Sequence, residues 1–230
     1  MLKRKRQTKD ILVIFDCDGV LMDSEVITSR IEYQSLRSFG CLLSMEDYLD
    51  RSLGVTEEDL LWETIASEWD VSLPEDFGVR LRAEVCEALA DELLPIKGVK
   101  KVLAAMPYQY CVASGATPKR LEFTLSVTGL ADRFTGRCFS GTLVSRGKPA
   151  PDVFLLAAKK MGYEPRDCIV VEDSINGVRA AVSAGMNVLG FIGASHCRPG
   201  LESKLRELGC SEIFSEMDKL PSLIELKMRS

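Results

Sequence analysis

Residues 11–25 read Ile-Leu-Val-Ile-Phe-Asp-Cys-Asp-Gly-Val-Leu-Met-Asp-Ser-Glu. The first five are apolar, uncharged and rich in β-branched side chains, and the run is too short for a helix. It predicts a strand buried on both faces of a parallel sheet, ending where Asp16 begins. Beyond it, from 24 to about 94, the pattern turns helical. Leu61, Ile65 and Trp69, then Leu81, Val85, Ala88, Leu89 and Leu93, recur at spacings of three and four. Pro95 to Gly98 punctuates that stretch. Strands then alternate with helices: strands over 108–113, 168–171 and 188–192, helices over 118–127, 152–161 and 175–184. Such alternation predicts an α/β fold, a doubly wound parallel sheet with an inserted all-helical cap. The division is 10–22 and 96–230 for the core, 23–95 for the cap and 1–9 for a basic tail.

Composition limits the chemistry. The 230 residues include 34 acidic and 29 basic side chains but one histidine, His196, with a formal net charge of −5. Hydrolases of the Ser-His-Asp, HExxH and Cys-His kinds all place a histidine beside a nucleophile or metal, so carboxylate chemistry leads. The negative charge offers no basic footprint for nucleic acid or for an anionic membrane. Lys3, Arg4, Lys5, Arg6 and Lys9 crowd the N-terminus, yet the apolar run behind them is five residues long, short of a signal peptide or a span. Eight scattered cysteines without a CxxC pair read as reduced thiols, which places the chain in the cytoplasm.

Three local patterns fail on inspection. Gly141 to Lys148 is one residue too long for a phosphate-binding loop, and Pro149 stands where Ser or Thr must reach magnesium. A calcium loop opening at Asp16 or Asp18 would close on Ile27 or Ser29, neither of them a glutamate. His196-Cys197 is a lone pair without the partners of a zinc site.

Functional groups of an open parallel sheet gather beyond the carboxyl ends of its strands. Four segments meet that condition here. They are Asp16 and Asp18 with Gly19 and Asp23; Ser114 and Gly115; Lys148 within Gly147 to Asp152; and Glu172, Asp173 and Ser174. They converge two to four carboxylates, a hydroxyl and an ammonium on one crevice. Clustered acids repel and raise one another's pKa unless a cation sits among them, and all-oxygen ligands with room for water and phosphate suit Mg2+. Lys148 can neutralise a transferring phosphoryl group, and Ser114 can donate to its oxygens. Phosphoryl transfer is the expected chemistry.

These four segments resemble the four motifs of the haloacid dehalogenase superfamily, in family order from about Ile11 to Ile192, in the helical-cap subgroup of sugar-phosphate phosphatases and β-phosphoglucomutases. The resemblance implies Asp16 as nucleophile and metal ligand, Asp18 as general acid and then base with its carbonyl on the metal, and Asp173 as a metal ligand. Glu172 would bind the metal directly or through a neighbour, while Ser114, Gly115 and Lys148 would hold the phosphoryl group. Arg51 and polar residues from Ser24 to Thr28 are candidate substrate contacts. A dehalogenase needs no second aspartate, and a silent binding protein would lose Asp16 or the metal acids. The mutase reading meets Thr28 and Glu57 where that subgroup has histidine and arginine, although 51–56 resembles its substrate loop. A Mg2+-dependent phosphatase of a small sugar or polyol phosphate follows, a monomer or weak homodimer without nucleic-acid or membrane partners.

Overall fold

The computed structural model describes residues 11–52 and 58–229. The basic tail, most of the loop resembling a mutase substrate loop, and Glu57 lie outside them. In chain order the elements are β1 (Leu12–Phe15), α1 (Glu25–Ser38), α2 (Met45–Ser52), α3 (Glu58–Glu68), α4 (Phe77–Glu92), α5 (Val99–Ala105), β2 (Gln109–Ser114), α6 (Pro118–Val127), α7 (Ala131–Phe134), β3 (Cys138–Ser140), α8 (Asp152–Met161), β4 (Cys168–Glu172), α9 (Ile175–Ser183), β5 (Asn187–Phe191), α10 (Leu201–Glu207), β6 (Glu212–Phe214) and α11 (Leu220–Arg229).

All strand pairings are parallel, in the order β3-β2-β1-β4-β5-β6. This is a doubly wound arrangement. The chain reverses its direction of winding between β1 and β4, and ligands bind in that crevice. Alternate residues of the central strands serve opposite faces. Val13, Phe15, Val112 and Val171 pack with α5, α6 and α11, whereas Leu12, Ile14, Ala113 and Val170 pack with α8, α9 and α10. Burying β1 on both sides explains why it reads as an unbroken apolar run.

The four helices α1 to α4 fill the interval between β1 and α5, as the periodicity predicted, and share a core built on Tyr48, Trp62, Ile65, Phe77, Leu81 and Leu89. In α3 the buried face runs through Trp62, Ile65 and Ala66, with Leu61 and Trp69 only partly buried. The chain leaves and re-enters the sheet side by side: Met22 bridges Pro95, Asp23 N–H donates to Leu94 O at 3.2 Å, and Ile96 N–H donates to Leu21 O at 3.0 Å. None of the eight cysteines is in a disulfide; five are buried, but Cys86 and Cys138 are exposed. Among the described residues no helix is long and apolar enough to cross a membrane.

Candidate active site

Strand pairing builds the site. Phe15 is in register with Val112 of β2 and Val171 of β4, so Asp16, Ser114 and Glu172–Asp173 all emerge at one end of three adjacent strands. Asp16 N–H donates to Val171 O at 3.0 Å, which continues the pairing into the mouth of the crevice. From the other side, the loop before α8 delivers Lys148, joined to Pro149 by a cis peptide. The Lys148 ammonium lies 2.8 Å from both Asp16 Oδ1 and Glu172 Oε1, and 4.8 Å from the centre of the Phe154 ring. All three charged groups are buried.

Glu172 is the most fully engaged of the acids. Besides Lys148, it accepts from the amides of Asp173 at 2.7 Å and Ser174 at 3.1 Å and from the Ser174 hydroxyl at 3.3 Å. Burial disfavours its charge, but Lys148 and these donors outweigh burial and hold it below the usual carboxylate range. Asp16 goes the other way: burial first, then Glu172, push it up to about 7 against the opposing pull of Lys148. Asp173 is raised well above the usual range by burial and by the Glu172 and Asp16 charges. Lys148 is shifted upward, because its two carboxylates more than offset burial. With all three carboxylates ionised, the single ammonium would leave two negative charges unmet, the complement of a divalent cation.

Donor geometry fits such an ion. Oxygens of Asp16, Glu172 and Asp173 lie within 4.8 Å of one another. Asp173 Oδ1 is buried without a hydrogen-bond partner among the described residues, a costly state for a carboxylate oxygen unless something positive meets it. Ser174, rather than Asp173, caps α9 by accepting from Gly177 N–H at 3.0 Å, so Asp173 is free to face the cluster.

Two glycines make the cluster possible. Gly19 adopts φ +79°, and a Cβ on it would lie 1.9 Å from Asp173 Oδ2. A Cβ on Gly177 would lie 1.3 Å from Glu172 Oε1, and Glu172 is pinned by Lys148 and two amides. Gly177→Ala is therefore expected to cost about 3 kcal/mol or more, because a buried, bonded carboxylate must be displaced. The check is a lower urea midpoint at unchanged slope; a loss under 0.5 kcal/mol would show that Glu172 is not held against Gly177.

Asp18 is partly buried at the tip of a tight loop, in which Gly19 N–H donates to Met22 O and Leu21 N–H to Cys17 O. Its carboxylate is not in the three-acid group; Oδ1 accepts from Ser24 Oγ at 2.5 Å. Ser114 Oγ accepts from Ala116 N–H at 3.1 Å, which leaves its own proton to donate elsewhere, and Gly115 is exposed beside it. Three of the expected substrate contacts have partners within the chain. Ser24, fully buried, donates to Asp18. Thr28 accepts from Arg120 at 3.2 Å. Arg51 is not brought to the cluster: its guanidinium lies 2.8 Å from both carboxylate oxygens of Glu68, at the surface of the helical insertion.

His196, set aside in sequence as a lone residue, reaches the site. Its Nε2 lies 3.0 Å from Asp173 Oδ2. No local pattern announces this contact, since 23 positions of chain separate the pair. Asp23 is likewise recruited over a long range, accepting from the Ser195 amide at 3.1 Å and from its hydroxyl.

Residues 12–185 match the haloacid dehalogenase-like hydrolase family. The chain is 32% identical to a 6-phosphogluconate phosphatase of Escherichia coli over 92% of its own length and 93% of that protein. It is 31% identical to hexitol phosphatase B of Escherichia coli, over 76% of this chain and 81% of that one. Among solved structures, a haloacid dehalogenase-like protein of unknown function from Agrobacterium tumefaciens superposes with a TM-score of 0.84 at 34% identity, covering 95% of this chain and 99% of that one.

Proposed function

This chain belongs to the haloacid dehalogenase-like hydrolases, and on that premise we propose that it is a Mg2+-dependent phosphatase of a small phosphomonoester, a sugar or polyol phosphate such as phosphogluconate or a hexose phosphate. One observation carries the reading: Asp16, Glu172 and Asp173 meet within 4.8 Å at the switch point of the sheet, with Lys148 between two of them. The histidine at the cluster meets Asp173 rather than Asp16, an arrangement that suits attack by Asp16 itself.

Asp16, Asp173 and the Asp18 carbonyl, with Glu172 beside them, would hold Mg2+, which would supply charge neutralisation for the phosphoryl oxygens. Lys148, Ser114 and Gly115 orient that group and oppose the repulsion between a carboxylate and a phosphate dianion. Asp16 attacks phosphorus as the ester oxygen departs, and Asp18 gives that oxygen its proton. The phosphoryl group then rests on Asp16. Asp18, now ionised, takes a proton from water as the water attacks phosphorus, releasing inorganic phosphate and the Asp16 carboxylate. Ser24 fixes Asp18 through Oδ1 and leaves Oδ2 for these transfers. Helices within 23–95 serve as the cap over a core of 10–22 and 96–230, excluding bulk water and choosing the leaving group.

A screen of phosphorylated metabolites with free phosphate as readout tests the reading. Phosphate release should cease with EDTA and return with Mg2+; indifference to metal would revive the dehalogenase reading. β-Glucose 1-phosphate should yield no glucose 6-phosphate, and its appearance would establish the isomerase instead.

Protonation adds a stability test. The folded Asp16 carboxyl keeps its proton up to about pH 7, whereas its unfolded value is 3.8. Between those values the folded state binds more protons, so metal-free stability falls as pH rises. Asp173 acts in the same direction. From pH 5.5 to 8 the loss with EDTA should be at least roughly 2 kcal/mol in urea unfolding, the share of Asp16 alone. Mg2+ at a hundredfold over its Kd should return about 2.7 kcal/mol at pH 8. Metal-free stability that rises over this range would contradict the uncompensated cluster.

A further inference from the structure

The catalytic scheme leaves one buried group at the site without a role. His196 presents Nε2 to Asp173 Oδ2 at 3.0 Å, while Cys197 Sγ stands 3.9 Å from the same nitrogen. Nδ1 is buried with no hydrogen-bond partner among the described residues. A bare lone pair costs less there than a stranded N–H, so the ring proton belongs on Nε2, which lies within reach of Asp173 Oδ2 and of Cys197 Sγ. On the far side of the same carboxylate, Oδ1 is buried and unpartnered.

The loop that carries His196 is built to hold it there. It follows β5, and Ile192 N–H donates to Phe214 O at 2.9 Å. The neighbouring Ser195 is gripped through both its amide and its hydroxyl by Asp23, whose own amide donates to Leu94 O where the chain crosses between sheet and helical insertion. Arg198 Nη1 reaches Asp50 Oδ1 of α2 at 2.6 Å. Gly19 supplies the space, since a Cβ there would lie 2.8 Å from His196 Cε1.

We propose that His196 is a positioning residue for Asp173: the Nε2–H holds Oδ2 in one orientation, so that Oδ1 stays turned to the cation, and the Asp23–Ser195 contact holds His196 in place. The inference rests on the cation reading of the cluster. A carboxylate that can rotate pays an ordering cost when it binds metal, and a hydrogen bond to its other oxygen removes that cost in advance. Groups that orient metal ligands in this manner typically change affinity 10- to 100-fold when removed.

The test is calorimetric titration of Mg2+ into the full chain, together with kcat at saturating Mg2+ on the best substrate of the screen. His196→Ala should raise the Mg2+ Kd about 10- to 100-fold. High Mg2+ should restore most of kcat. His196→Gln, whose side-chain N–H reaches the same place, should bind Mg2+ nearly as the parent does, and Ser195→Ala should weaken binding to a smaller extent. If the alanine variant does not fold, His196→Asn, too short to reach Oδ2, takes its place against Gln. A Kd for the alanine or asparagine variant within twofold of the parent, or tighter than it, overturns the proposal. So does a collapse of kcat that saturating Mg2+ fails to rescue, which would make His196 catalytic. Failure of the parent chain itself to bind Mg2+ would instead remove the cation reading and this inference with it.

Discussion

Asp16→Asn is expected to lower kcat for a generic aryl phosphate by about 10^4-fold or more while the fold stands, since the amide is nearly isosteric but cannot attack phosphorus. The fold should tolerate it for a specific reason. Asp16 is bonded to β4 through its backbone amide, which the substitution keeps, and its carboxyl is already pushed up to about 7 by burial and by Glu172. A neutral side chain relieves that repulsion. The metal-free variant should therefore be at least as stable as the parent at pH 8 in urea unfolding. Turnover retained at a hundredth of the parental rate or better would refute Asp16 as the nucleophile.

Lys148→Met should fail in both respects. Methionine keeps the aliphatic bulk near Phe154 but removes the one ammonium within 2.8 Å of Asp16 and Glu172. Breaking a buried pair on one side leaves uncompensated charge, at a cost of about 3–5 kcal/mol. Because the orphaned carboxylates can recover by taking up protons, the loss should be larger at pH 8 than at pH 5.5. Activity should fall about 10^3-fold or more, since the site loses the ammonium that, beside the cation, opposes the phosphate charge. Adding Asp16→Asn to this variant should return part of the stability, a non-additivity that reports the direct coupling. A loss under 1 kcal/mol at pH 8 would show that Lys148 is not the counter-ion of the buried acids.

Much of the architecture was legible along the chain. The apolar run of β1, the 3.6-residue stripes of α6, α8 and α9, and the helical stretch between Ser24 and Leu94 are local patterns, and the structure reproduces them to within a residue or two. Elements with too few residues to show a period were harder to see: three-residue β3 and β6 at the two edges of the sheet, and α5, seven residues long. In α3 the apolar spacing was right but the buried face is turned by one residue onto Trp62, because packing against Phe77 decides which side faces inward.

The candidate site divides along the same line. Asp16, Ser114, Lys148 and Glu172–Asp173 could be picked out because each sits where a local strand pattern stops or a helix begins, and parallel pairing sends such ends to one place. That reasoning yields residue types, hence carboxylate chemistry and a hard cation. It cannot say who touches whom. The grip of Lys148 on two acids at once, the glycine at 177 that admits Glu172, the commitment of Ser24 to Asp18 and of Arg51 to Glu68, and the arrival of His196 on Asp173 are all decided by tertiary structure. Each depends on distances between segments that no periodicity encodes. The lone histidine shows the difference most plainly: a single histidine made carboxylate chemistry the leading reading and lacked the partners of a zinc site, and only the folding of the loop after β5 set it against a carboxylate oxygen.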